Sequence, residues 1–273
     1  MTFRGILIGA VLSAFASFSN AGELSQASST LCKPNIPYGA PAPAPSRETV
    51  IPICRTAYAI GFNTSAKIPS WVSYVLKNEN AFGCFPRVSS FRIEPTVPAG
   101  TSATQKDYAK SGYDIGHMAN SADLRWSRQT EIDSEVFSNA APQTPELNRG
   151  EWKNLEDQIR RWAITRKNDL LIYVGPIYNK GAPTYMKGTS VVVPVSYYKV
   201  IVDTKTKEVL SFVYPNIKDV SGNIADFATS FQEVQRLSGI VFPLPKAAIF
   251  SQTVWSTQEK TTKDQKSQAC TVK

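Results

Sequence analysis

Histidine is nearly absent: His117 is the only one in a chain of 273 residues. That scarcity excludes a three-histidine metal site, and the lack of an HExxH pair excludes the zinc-protease arrangement. No GxSxG elbow is present to carry the serine of an α/β-hydrolase triad. Cysteine is sparse too. Cys32, Cys54, Cys84 and Cys270 form no CxxC pair, and with a single histidine in the chain this spacing argues against a structural zinc site. An even set of this kind points to two disulfides in an oxidising compartment, with three possible pairings that remain open. Long apolar runs are missing as well. The stretch from Gly5 to Phe18 is about 14 residues, short of the roughly 20 needed to span a bilayer, and no later segment comes close. With Arg4 before it and Ser19-Asn20-Ala21 after it, this stretch predicts a signal peptide over residues 1–21. The expected product is exported, periplasmic or secreted after cleavage near Ala21, with no stable membrane insertion.

Acidic residues are the minority, 22 Asp and Glu against 30 Lys and Arg, a net charge of +8. Loss of Arg4 with the leader leaves a surplus that favours polyanionic partners and fast electrostatic association with them. Residues 22–53, which include KPNIPYGAPAPAPSRETVIP, are rich in proline and alanine and read as an extended arm. A domain is expected over 54–255, followed by a polar tail over 256–273. CRTAYAIGF and WVSYVL alternate as paired strands. Residues 86–112 read as a long loop, and loops of that length in compact domains are often functional. In ELNRGEWKNLEDQIRRWAITRK, Trp152, Leu155, Ile159 and Trp162 repeat at helical period and define one buried stripe. Asn148 projects onto that stripe and Glu156 onto its edge, so both are expected to face the sheet. Three strand signals follow in DLLIYVGPIY, SVVVPVSYYKVIVD and EVLSFVYPN. DFATSFQEVQRLSG predicts a second helix, with Asp226 as N-cap and Gly239 as stop. No internal repeat is present.

The segments SGYDIGHMANSADL and FSNAAPQTPELNRGEWKNLE carry the chemistry. They contain Asp114-Ile115-Gly116-His117, then Asn139-Ala140-Ala141-Pro142-Gln143, then Leu147-Asn148 through Leu155-Glu156. In that order they resemble the D-R-G-H tetrad, N-x-x-P-Q motif and L-N-x-G-x-W-x-x-L-E helix entry of the DNA/RNA non-specific endonuclease family. The similarity runs from the strands near Cys54 to about Pro245. It implies an α+β fold, a mainly antiparallel β-sheet flanked by helices, with a ββα-metal finger as active site. It also implies DNA and RNA as substrates and Mg²⁺, or Mn²⁺ in its place, as cofactor. His117 then corresponds to the general base, which deprotonates the attacking water, and Asn148 to the direct protein ligand of the ion.

A neutral amide ligand would leave the ion its full charge to set against a phosphate. Glu156 lies eight residues beyond Asn148, about 12 Å of rise in a regular helix, so contact through water suits it better than shared ligation. The other ring nitrogen of His117 needs a partner to fix its tautomer, a backbone carbonyl or the Asn139 region. An arginine from the loop before the tetrad usually stabilises the charge on phosphorus; Arg92 is favoured over Arg87. One departure stands out. Ile115 occupies the family's arginine position and cannot hold a phosphate, a loss that Arg92, Arg125, Arg128 or Arg149 would have to offset. Arg92, Arg149 and Arg125 are the expected nucleic-acid contacts. Two competing readings remain: a catalytically weak or inactive relative that binds nucleic acid at the cell envelope, and an unrelated exported protein in which His117 is structural. Oligomeric state is open.

Overall fold

Leu170–Ile177 is apolar almost without interruption, a pattern suited to a strand covered on both faces. The computed structural model describes residues 30–43, 50–88, 90–256 and Cys270. The signal-peptide reading of 1–21 and most of the tail fall outside these residues. The strands are β1 (Val50–Cys54), β2 (Ala59–Asn63), β3 (Ile68–Leu76), β4 (Asp114–His117), β5 (Ala140–Gln143), β6 (Leu170–Ile177), β7 (Ser196–Asp203), β8 (Glu208–Pro215) and β9 (Ile249–Phe250). Seven of them form one sheet in the order β9-β8-β7-β6-β3-β2-β1, with every neighbouring pair antiparallel except β8 and β9. The expected α+β class is found.

Side chains of a strand alternate between faces, and here both faces are dry. Leu170, Ile172 and Val174 join the core beneath the long helix α3 (Trp152–Arg166), with Trp152, Leu155, Ile159 and Trp162. Leu171, Tyr173 and Ile177 join a second core with Phe231, Val234 and Phe242, on the side of helix α4 (Phe231–Ser238). Two shorter helices, α1 (Ser121–Leu124) and α2 (Arg128–Ser134), lie between β4 and β5. No helix among the described residues is long and apolar enough to cross a membrane.

Three expectations are corrected. The arm over 22–53 does not stay apart from the domain: its last residues form edge strand β1, with Ile53 opposite Ile60 and only 4% exposed. Ala42–Pro43 pairs with Ile240–Val241, and Cys32 is bonded to Cys54. Apolar burial along β2 outweighs the proline content. The second disulfide, Cys84–Cys270, ties the tail's cysteine to the segment just before Arg87. In α4 the N-cap is Ser230, whose hydroxyl accepts from the Glu233 amide; Asp226 instead closes a separate turn over Ile224–Phe227. Gly239 does end α4, at φ +67°. Finally, the helix over 146–167 is not continuous. Leu147–Glu151 makes a wide π-type turn in which Gly150 leaves helical geometry, at φ −106° and ψ −109°. That turn resets the phase before α3, so the 100° projection fails for Asn148.

A buried carboxylate fastens the loop that precedes β4. Glu94, whose side chain is fully buried, accepts from Arg55 Nη2 at 2.6 Å, Thr96 Oγ1 at 2.6 Å and Ser138 Oγ at 2.8 Å. Burial alone would raise its pKa, but the bonds from Thr96, Arg55 and Ser138 outweigh it and hold the carboxyl below its ordinary value. A depressed carboxylate stabilises the fold above its unfolded-state pKa, and the contribution disappears as pH falls through the folded value. Glu94→Gln should therefore cost ~3 kcal/mol at pH 7, by leaving Arg55 without its carboxylate partner. The gap between wild-type and variant urea midpoints should shrink as the pH is lowered below about 4.

Candidate active site

Strands β4 and β5 pair antiparallel, Asp114 opposite Gln143 and His117 opposite Ala140, and α3 follows after the wide turn. The result is a ββα unit. Glycine precedes the histidine for a steric reason: a Cβ on Gly116 would lie 2.1 Å from Gln143 Oε1. The finger opens onto a solvent-accessible cleft of about 470 Å³, lined by His117, Asn148 and Glu156 together with Ile115 and five cationic side chains. Those cations are Arg87, Arg125, Arg149, Lys153 and Arg160. The three principal residues of the sequence reading thus meet at one place.

His117 packs its ring on Phe91, centroids 4.8 Å apart, and is 12% exposed. Its Nε2 lies 3.3 Å from Glu135 Oε1, an electrostatic contact without the alignment of a full hydrogen bond. Because Nε2 is buried on that side, Nδ1 is the nitrogen left for the cleft. Arg87 Nε donates to the same Glu135 oxygen at 3.2 Å. The burial of Glu135 opposes its ionisation, yet His117 and Arg87 together hold its carboxyl below the ordinary range. A neighbouring carboxylate, Glu131, accepts from the Val88 amide at 2.8 Å and from Ser121 Oγ at 3.0 Å, which anchors the loop bearing Arg87.

Asn148 is half-buried and turned to the cleft, not to the sheet as the helical projection required. Its Nδ2 donates to Asp114 Oδ2 at 2.9 Å, and Arg149 binds the same carboxylate through Nε at 2.8 Å and Nη2 at 2.6 Å. Asp114 therefore sets the amide's orientation. Burial works against the charge of Asp114, but the bonds from Arg149 and Asn148 prevail and its pKa is lowered. Asn148 Oδ1 has no hydrogen-bond partner among the described residues and remains available to a ligand. Glu156 does face the sheet, as expected: Oε1 accepts from Lys199 Nζ of β7 at 2.9 Å. Lys199 is fully buried and lies over the Trp152 ring, 4.6 Å from its centroid. The second oxygen of Glu156 is unpartnered among the described residues.

Two site assignments are corrected. Asn139 is fully buried, and its hydrogen bonds go to backbone rather than to the imidazole. Its amide accepts from Ala119 N at 2.8 Å and donates to Ala119 O at 2.9 Å and Ser134 O at 3.0 Å, clamping the chain just after His117. Arg92 is exposed and outside the cleft. Its backbone bridges to Val136, and its guanidinium donates to Ile132 O at the end of α2. Arg87, weighed second in the sequence, lines the cleft instead. Of the other arginines, Arg149 and Arg125 do line the cleft; Arg149 is spoken for by Asp114, whereas Arg125 has no acidic partner among the described residues. Sequence reasoning assigned no role to Asp114, Glu135, Lys199 or Arg160. Arg160, paired with Asp123 at 2.8 Å, sits one helical turn beyond Glu156, a spacing that could have flagged it.

Comparison with known proteins identifies the family and the fold. The profile of the family described as DNA/RNA non-specific endonuclease matches residues 40–248. A nuclease from Nostoc sp. is 32% identical over 200 residues, covering 69% of this chain and 71% of its own. Mitochondrial endonuclease G from Bos taurus is 31% identical over 202 residues, 69% of this chain and 67% of its own. Among solved structures, an EndoG/EndoGI complex superposes with a TM-score of 0.67 at 26% identity, over 77% of this chain and 90% of that one. The chain belongs to the DNA/RNA non-specific endonuclease family.

Proposed function

We propose that the protein is an exported endonuclease that hydrolyses phosphodiester bonds in DNA and RNA with a divalent cation, Mg²⁺ or Mn²⁺, and with little sequence preference. The observation that carries this reading is the convergence of His117, Asn148 and Glu156 on one arginine-lined cleft. His117 takes a proton at Nδ1 from the water that attacks phosphorus; the P–O3′ bond breaks and the 3′ oxygen leaves as a hydroxyl, taking its proton from solvent water. Arg125, which has no acidic partner among the described residues, holds the phosphate with Arg87, while Arg149 stays on Asp114. Contacts to phosphate carry no base information, which accounts for the lack of preference.

The donor set fits a hard cation. Asn148 Oδ1, held toward the cleft by the Nδ2 bond to Asp114, is the ligand expected of Mg²⁺, and Glu156 lies in the same cleft to engage its hydration shell. Among the described residues no three His, Cys, Asp or Glu side chains gather to hold an ion, so a hydrated cation on a single amide suits the site. When bound, the ion supplies positive charge against the scissile phosphate and the leaving oxygen. Export is supported by the leader-like first 21 residues and by the two disulfides.

Incubation with supercoiled plasmid tests the reading. Nicking that requires the metal, stops with chelator and weakens steeply with added salt is expected. Ile115 favours a second reading, a weak relative that binds nucleic acid at the envelope, since the apolar side chain lines the cleft where a phosphate contact is wanted. Plasmid that is retarded in a gel but stays intact would support it. Under the nuclease reading, Ile115→Arg should lower KM about tenfold, the worth of one added charge-assisted hydrogen bond, with kcat changing less.

A further inference from the structure

Nothing in the nuclease reading specifies what holds the imidazole. We propose that Glu135 is the positioning residue of His117: its buried carboxylate fixes the tautomer with the proton on Nε2, leaving the Nδ1 lone pair to the cleft. The proposal rests on His117 being the general base. It is carried by geometry. Nε2 is buried, and Glu135 Oε1, 3.3 Å away, is the acceptor it faces. The Phe91 ring, packed at 4.8 Å, limits reorientation of the imidazole. Other acceptors nearby are committed elsewhere. The Glu135 backbone oxygen accepts from Arg92 N at 2.9 Å, Glu131 is held by Val88 and Ser121, and the Asn139 amide is closed on Ala119 and Ser134.

The carboxylate is itself held in place. It sits at the end of α2, and Arg87 Nε reaches its Oε1 from the loop before β4. Were the proton on Nδ1, the Nε2 lone pair would face a buried anion, an unfavourable arrangement in a site shielded from water. The same arrangement would block the nitrogen that must accept the proton from water. A fixed carboxylate removes both problems, and it offsets the positive charge that forms on the ring after proton transfer.

A solitary histidine makes the test direct, because ¹⁵N spectra of the ring report residue 117 without assignment. The neutral imidazole of wild type should show its proton on Nε2. In Glu135→Gln a mixture of tautomers is expected, with kcat lower by about 10²-fold and KM changed by less than about threefold; Glu135→Asp should recover part of the loss. If that glutamine variant fails to fold, the wild-type tautomer decides alone. A wild-type proton on Nδ1, or a folded Glu135→Gln enzyme with kcat within about twofold of wild type, overturns the proposal. Either result leaves the nuclease reading standing as long as His117→Ala is inactive. Full activity of His117→Ala would overturn that reading itself.

Discussion

His117→Ala should lower kcat for plasmid nicking by at least ~10²-fold, the usual worth of a general base, with little change in the gel-shift affinity for uncut DNA. The effect is expected to be this large because no substitute exists. The chain has no second histidine. The carboxylates nearest the ring are buried and engaged, Glu135 with Arg87 and Glu131 with Val88 and Ser121. A water in the cavity left by the ring would have no group of suitable basicity to accept its proton near neutral pH. The fold should tolerate the change, since the clamp of Asn139 on Ala119 and the β4–β5 pairing do not depend on the ring. Circular dichroism and thermal melting of the variant would confirm that the loss lies in chemistry. Activity within tenfold of wild type would remove His117 from the base role.

Asn148→Ala is the second large effect. Removal of the amide should reduce kcat/KM at fixed Mg²⁺ by about 10²–10³-fold, the range found when a preorganised electrostatic group is lost, and should weaken divalent-ion binding measured by calorimetry. The neutral ligand matters as much as the oxygen. Asn148→Asp keeps an oxygen in place but puts a second anion beside Asp114 and removes the Nδ2 donor that now bonds it at 2.9 Å. Two carboxylates sharing one site repel, and one of them is driven toward protonation. The aspartate variant should therefore stay well below wild type despite its greater formal affinity for a cation. If alanine at 148 leaves both metal binding and rate unchanged, the ligand must be sought elsewhere in the cleft.

Much of the fold follows from local pattern. The stripe of Trp152, Leu155, Ile159 and Trp162 is legible because a helix repeats its faces every 3.6 residues, and all four side chains are buried. The nearly unbroken apolar run of β6 signals a strand covered on both sides. Four separated motif residues, Asp114, His117, Asn148 and Glu156, mark the finger, and the three that were given roles line the cleft. The misplacements are of another kind. A projection at 100° per residue turned Asn148 toward the sheet because nothing local announced the wide turn around Gly150. Arg92 and Arg87 are equally good loop cations in a sequence; only the bridge from Arg92 to Val136 shows which of them is turned away. Asn139 looked chemical because it belongs to a motif, yet it serves as a buried backbone clamp.

The amino-acid sequence by itself determined most of the elements and the family, and it singled out His117 and Asn148 as the candidates for base and metal amide, because periodicity and motif order are properties of neighbours along the chain. Tertiary structure alone decided how those groups are held. Asp114 reaches across 34 residues to orient Asn148, Lys199 across 43 to Glu156, and Arg87 across 48 to Glu135. Contacts between polar groups this far apart in sequence leave no period to read. They exist only after the sheet and α3 have brought the strands and loops together.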